Sequence, residues 1–235
     1  MKRLLLASCC LVAAPAFADD VEIVTPDQGA FKAVSKDLVD AFSYKALGPA
    51  EATGITGFGI GGFATYMSTD KDAWKTLTDE SISELGLVGV NAHKGLPFGV
   101  DVGAFYGWVP EAGASVYGGE LRYAFLEGGV ATPGVAVRGA FTQSAGVDDI
   151  DLTTYSLDAT ISKGFAFLTP YAGAGYVWGK VKVNNTYEDV LDDEEPSHGR
   201  VFVGLRVAAG FFEITPEYEH IGSNDVFNLR LGFSI

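Results

Sequence analysis

The last eleven residues, Asp225-Val226-Phe227-Asn228-Leu229-Arg230-Leu231-Gly232-Phe233-Ser234-Ile235, constrain the fold of this chain more than any other stretch. Phe227, Leu229, Leu231, Phe233 and Ile235 alternate with Asn228, Arg230, Gly232 and Ser234. A strand sends successive side chains to opposite faces, so this one has an apolar face and a polar, partly charged face. The terminus of a soluble domain tends to fray. A closed barrel instead needs a last strand that pairs with its first, with lipid outside and water inside.

The same alternation recurs upstream. Ten strand-like segments can be drawn at 52–67, 83–93, 98–109, 116–127, 134–144, 152–162, 168–181, 199–210, 211–221 and 226–235. In the clearest, Phe98, Val100, Val102, Ala104, Tyr106 and Trp108 alternate with Gly99, Asp101, Gly103, Phe105 and Gly107. In 83–93 the apolar phase slips between Leu87 and Val88, which predicts a bulge or a misplaced boundary. The two longest connectors, 68–82 and 182–198, fall on the same side of the sheet, as long external loops opposite short periplasmic turns would. Tyr66, Trp108, Tyr117, Tyr155, Trp178 and Tyr218 lie near the long-loop end; Phe98, Phe125, Phe212 and Phe233 lie near the other. Two interfacial girdles are expected to look like this. The fold expected is all-β: a transmembrane antiparallel up-and-down barrel of about ten strands, with eight an open alternative.

The chain begins Met1-Lys2-Arg3, runs apolar from Leu4 to Phe17 and reaches Ala16-Phe17-Ala18. A basic start, a short apolar core and an A-x-A end read as a cleaved secretory signal over 1–18. A rival reading takes Leu6-Ala7-Ser8-Cys9 as a lipoprotein box, with a very short apolar stretch before Cys9. Both cysteines, Cys9 and Cys10, lie in that signal, so the expected mature chain has neither disulfides nor thiolate ligands. Removing Lys2 and Arg3 takes the net charge from −14 to −16, which argues against a nucleic-acid partner.

Residues 19–50 are expected to form an N-terminal segment with an amphipathic helix, ahead of a barrel over 51–235. Thr25-Pro26-Asp27-Gln28 reads as a capping box with proline at the first helical position. Ala30, Phe31, Val34, Leu38, Ala41 and Phe42 then recur at helical spacing opposite Lys32, Lys36, Asp37 and Asp40. This stripe can rest on the membrane surface or the periplasmic rim, the simpler reading, or plug the barrel mouth.

With the signal, the Thr169-Pro170-Tyr171-Ala172-Gly173-Ala174-Gly175-Tyr176 strand start and the Phe227–Ile235 strand, the chain resembles the small outer-membrane β-barrel proteins of Gram-negative bacteria. The resemblance implies an outer-membrane location, contact with outer-membrane lipid, and a last strand read by the barrel-assembly machinery. In that superfamily the last residue is commonly phenylalanine; here Phe233 is third from the end and Ile235 is last.

Strand parity gives the interior. Arg122, Arg138, Arg200, Arg206 and Arg230 all fall on the face opposite the apolar one, together with Asp101, Glu120, Asp158, Glu213, Glu217 and Glu219. Five guanidiniums among six carboxylates form a nearly neutral network, for which the planar, always-charged arginine is suited. Such pairs can fill a narrow interior or act as a selectivity ring. About eight strands leave a lumen just filled by side chains and open channels come near sixteen, so ten favour the filled case. Gly57, Gly59, Gly61, Gly173, Gly175 and Gly179 make parts of the inner wall bare backbone, leaving space for long side chains or for a small ligand. Gly57-Phe58-Gly59-Ile60-Gly61-Gly62 lacks the lysine and following helix of a phosphate loop.

A hydrolase is the third class. Ser197, His198, Glu219 and His220 gather at one edge of the external rim and are residue types used in hydrolysis. By parity, however, His198 and Glu219 face inward and His220 outward. The acidic run Glu188-Asp189-Val190-Leu191-Asp192-Asp193-Glu194-Glu195 lacks the spacing of a Ca²⁺ loop. No metal and no cofactor are expected. The reading is a monomer with a non-enzymatic, structural or surface-interaction role, and the runner-up is a narrow diffusion channel for small solutes.

Overall fold

The computed structural model describes residues 23–109, 113–129, 132–146, 149–184 and 187–235. The signal reading over 1–18, with Cys9 and Cys10, lies outside them. Ten antiparallel strands close a barrel: β1 (Phe58–Ser68), β2 (Glu84–Gly95), β3 (Val100–Trp108), β4 (Ser115–Glu127), β5 (Gly134–Ala145), β6 (Ile150–Ser162), β7 (Leu168–Val183), β8 (Ser197–Ala209), β9 (Phe212–Ile221) and β10 (Asn224–Ser234). Each strand pairs with its sequence neighbours. The terminal strand closes the seam, with Gly59 opposite Ser234 and Met67 opposite Val226.

Burial runs inside out. Along β9, Phe212, Ile214, Tyr218 and His220 are exposed while Glu213, Thr215, Glu217 and Glu219 are buried. β6 behaves likewise, with Tyr155, Leu157 and Ile161 outside and Thr154, Ser156, Asp158 and Thr160 inside. An exterior this apolar is stable only against lipid. An even-stranded closed barrel with a polar interior is the architecture of outer-membrane barrels. The girdle residues Tyr66, Trp108, Tyr117, Tyr155, Trp178, Tyr218, Phe98, Phe125 and Phe212 are all exposed.

Two irregularities have local causes. The β4–β5 register shifts between Ala124 and Leu126, a bulge. The β8–β9 ladder lapses between Gly204/Glu217 and Val207/Ile214, around Pro216, which has no N–H to give. No bulge occurs at Leu87–Val88, contrary to expectation: β2 pairs with β1 in one register from Glu84 to Lys94. The phase slips because both faces are apolar there. Leu85 and Leu87 point inward onto a buried core while Val90 faces out.

That core is built on α1 (Gln28–Phe42), which neither lies on the membrane nor at the periplasmic rim, as the simpler reading expected. Phe31, Val34 and Val39 are wholly buried and pack against Met67, Leu87, Val116, Val177, Val181 and Ile221 of the inner wall. The helix sits inside the mouth at the long-loop end. Its cap also differs from expectation: Asp27, not Thr25, caps it, and the Asp27 carboxylate accepts from Ala30 N at 2.8 Å. A second helix, α2 (Lys71–Thr78), was not foreseen within the β1–β2 connector. Its buried Trp74 and Leu77 close over α1.

Candidate functional site

After α1 the chain does not leave the barrel. Residues 43–57 run down the lumen from the long-loop end to the short-turn end, where Gly95 N donates to Gly57 O at 3.1 Å and β1 begins. This thread is irregular backbone in neither helix nor strand, so its buried N–H and C=O groups need partners from the wall.

The inward arginines supply them. Arg200 Nη1 donates to the Tyr44 carbonyl at 2.7 Å, Arg138 Nη1 to that of Ala46 at 2.9 Å, and Arg122 Nη1 to that of Pro49 at 2.8 Å. Arg206 binds the carboxylate of Glu51. Wall acceptors take the thread's amides: Glu217 from Leu47 N at 2.9 Å, Ser162 Oγ from Ala50 N at 3.1 Å, and Asp101 from Thr53 N at 3.1 Å. Lys45, from the thread, pairs with Glu219 at 3.2 Å.

Each guanidinium is also held by the wall. Asp158 sits between two of them, 2.7 Å from Arg200 Nε and 3.3 Å from Arg138 Nε. Glu120 and Glu219 lie 3.4 Å from Arg138 and Arg200 respectively. Asp101 pairs with Arg122, and Glu213 with Arg230. Arg138 further lies over the rings of Tyr44 and Phe202, 5.9 Å from each centroid. Glu217 is the member without a guanidinium partner among its hydrogen bonds. It accepts instead from Tyr171 Oη at 2.7 Å and Asn228 Nδ2 at 3.2 Å.

Parity on the strands thus assembles residues from eight strands around one thread. Lys45 and Glu51 were missed because the segment carrying them has no period from which a direction could be read. Tyr171 and Asn228 share the inward parity, and that signal could have found them.

The bare stretches of wall are matched to what lies opposite. A Cβ at Gly175 would come within 2.0 Å of the Asp158 carboxylate, and one at Gly179 within 2.2 Å of Val39 on α1. Toward the short-turn end a cavity of about 280 Å³ remains beside the thread, lined by His93, Arg122, Arg206, Glu213 and Arg230 among others.

At the long-loop mouth α1 carries its own polar contacts. Asp37 accepts from Trp74 Nε1 at 2.9 Å and from Asp70 N at 3.1 Å. Asp40 lies 2.6 Å from His198 Nδ1, and Asn224 Nδ2 donates to it at 2.9 Å. Burial pushes both carboxyls above the ordinary aspartate range, against these hydrogen bonds, which pull them down.

The rim residues considered for hydrolysis do not converge. Ser197 is exposed and His198 faces Asp40 on the helix. Glu219 is buried in ion pairs with Lys45 and Arg200. His220 faces outward, 2.8 Å from Asp225, which also accepts from Tyr218 Oη at 2.7 Å. Of the acidic run, Glu194 accepts from Gln28 Nε2 at 2.7 Å, and Glu195 pairs with Lys180 at 3.1 Å. Among the described residues no cluster of three or more His, Cys, Asp or Glu is arranged to hold a metal.

No protein-family model matches the chain, and no curated protein matches it. Solved structures similar to it include the N-terminal β-barrel domain of Pseudomonas aeruginosa OprF, at 16% identity and a TM-score of 0.41, covering 77% of this chain and 99% of that one. The attachment invasion locus protein Ail of Yersinia pestis superimposes at 17% identity and a TM-score of 0.37, covering 76% and 97%. The KdgM porin does so at 10% identity and 0.39, covering 75% and 99%.

Proposed function

We propose that this chain is a non-enzymatic outer-membrane barrel with a structural or surface-interaction role, its lumen closed by its own N-terminal segment. The observation that carries the reading is the set of guanidiniums bonded to the backbone carbonyls of Tyr44, Ala46 and Pro49. A selectivity ring would aim its charges at passing solute. Here they are spent on the chain and on wall carboxylates. The protein acts as a monomer in outer-membrane lipid, inserted by the barrel-assembly machinery through its β10 strand.

Planar-bilayer recording tests this. The intact chain should give no steady unitary current. Steady currents that change on replacing Arg206 or Glu217 would overturn the closed-lumen reading. They would support the second reading, a narrow diffusion channel, which the 280 Å³ cavity beside the thread favours.

A further inference from the structure

The path of the thread determines which face of the membrane the N-terminal side of the chain reaches. Val24 N and Thr25 N donate to Leu77 O at 2.9 and 3.1 Å, and Tyr187 Oη donates to Ile23 O. Leu77 and Tyr187 belong to the β1–β2 and β7–β8 connectors, the two long ones. At the opposite end Gly54 and Gly57 meet Gly95 and the start of β1. Between Gly54 and Ile23 the backbone therefore crosses the barrel from the short-turn face to the long-loop face.

We propose that the barrel exports its own N-terminal side, displaying Val24 to Asp27 on the outer surface beside the two long connectors. This rests on the reading of the long-loop end as the outer face. A ten-stranded lumen lies close to the size that side chains alone can fill. Ordering some thirty residues inside it costs backbone freedom at every one of them. The wall is cut to receive them: Gly179 leaves the space Val39 occupies, and three arginines are aimed at thread carbonyls as well as at the wall carboxylates. A seal needs no such thread, whereas delivery of the Val24 segment to the far face does. Val24 to Asp27 are exposed there, next to the exposed Lys71, Asp72 and Lys75 of α2 and Glu188 to Val190 of the β7–β8 connector. Together they form one composite outer surface, of which the N-terminal residues are a part.

Cysteine labelling on intact cells decides it, using a polymer-linked maleimide too large for diffusion pores. Three variants are compared with the parent chain: Val24→Cys, Val190→Cys in the β7–β8 connector, and Phe98→Cys at a short turn. All three positions are exposed. Val24→Cys and Val190→Cys should label equally in intact cells, and Phe98→Cys only after the outer membrane is permeabilised. Labelling of Val190→Cys without Val24→Cys overturns the proposal while leaving the barrel's orientation intact. Labelling of Phe98→Cys alone reverses the orientation and overturns the proposal with it. Neither outcome alters the conductance result, so the two readings fail separately.

Discussion

The long-loop mouth and the deeper lumen hold the same N-terminal segment by opposite chemistry. At the mouth, α1 buries Phe31, Val34 and Val39 against an inward-facing apolar wall. Deeper, the thread is held by hydrogen bonds from Arg122, Arg138 and Arg200. The difference follows from backbone chemistry. A helix satisfies its own N–H and C=O groups and needs only an apolar surface. A thread in neither helix nor strand leaves those groups bare and needs donors that reach far and stay charged, which arginine provides.

Breaking the charged region should have the largest effect. Asp158→Ala strips a shared carboxylate from Arg138 and Arg200, both buried, and should lower stability by about 3–5 kcal/mol. The midpoint of denaturant unfolding reads this, and an unchanged midpoint would mean the network is not buried. Val34→Ala should cost about 2 kcal/mol, through lost burial alone. Hydrogen exchange should localise that loss to α1, leaving the thread and strands protected. If the strands open equally, the two regions are one cooperative unit. Asp27→Ala removes the helix cap and should cost about 1 kcal/mol, confined to the first turn of α1 in the same exchange measurement.

The smallest expected effect is that of pH at the mouth. Asp37 and Asp40 have raised carboxyl pKa values, so the folded plug binds protons more readily than the released one. Its stability should therefore fall as pH rises through the folded values, and hold steady above them. In a His198→Gln background, α1 exchange corrected for intrinsic rate should slow as pH drops below neutral toward 4. Faster exchange on acidification would contradict the sign.

The barrel was legible in the sequence because strand alternation has a strict period, and the same parity aimed Arg230 and the other four arginines inward. The phase slip at Leu87–Val88 was a signal misattributed. It records an inward apolar surface for a helix rather than a bulge. The position of α1 was not legible, since an apolar stripe fits lipid and a barrel interior equally well. Nor was the thread: residues 43–51 have no period, so nothing in them points Lys45 toward Glu219 or Glu51 toward Arg206, and the alternation drawn over 52–67 places 52–57 in a strand that begins only at Phe58.

The central claim is that the N-terminal segment lies inside the barrel, and a designed disulfide tests it most directly. A Cβ at Gly179 would lie 2.2 Å from a Val39 methyl, so cysteines at both positions bring their side chains together. In a Val39→Cys/Gly179→Cys variant of residues 19–235, oxidation should close an internal loop. The heat-denatured chain should then migrate faster without reductant than with it, and neither single variant should show the shift. Two thiols that stay free to alkylation in the folded double variant would put α1 outside the mouth and contradict the account.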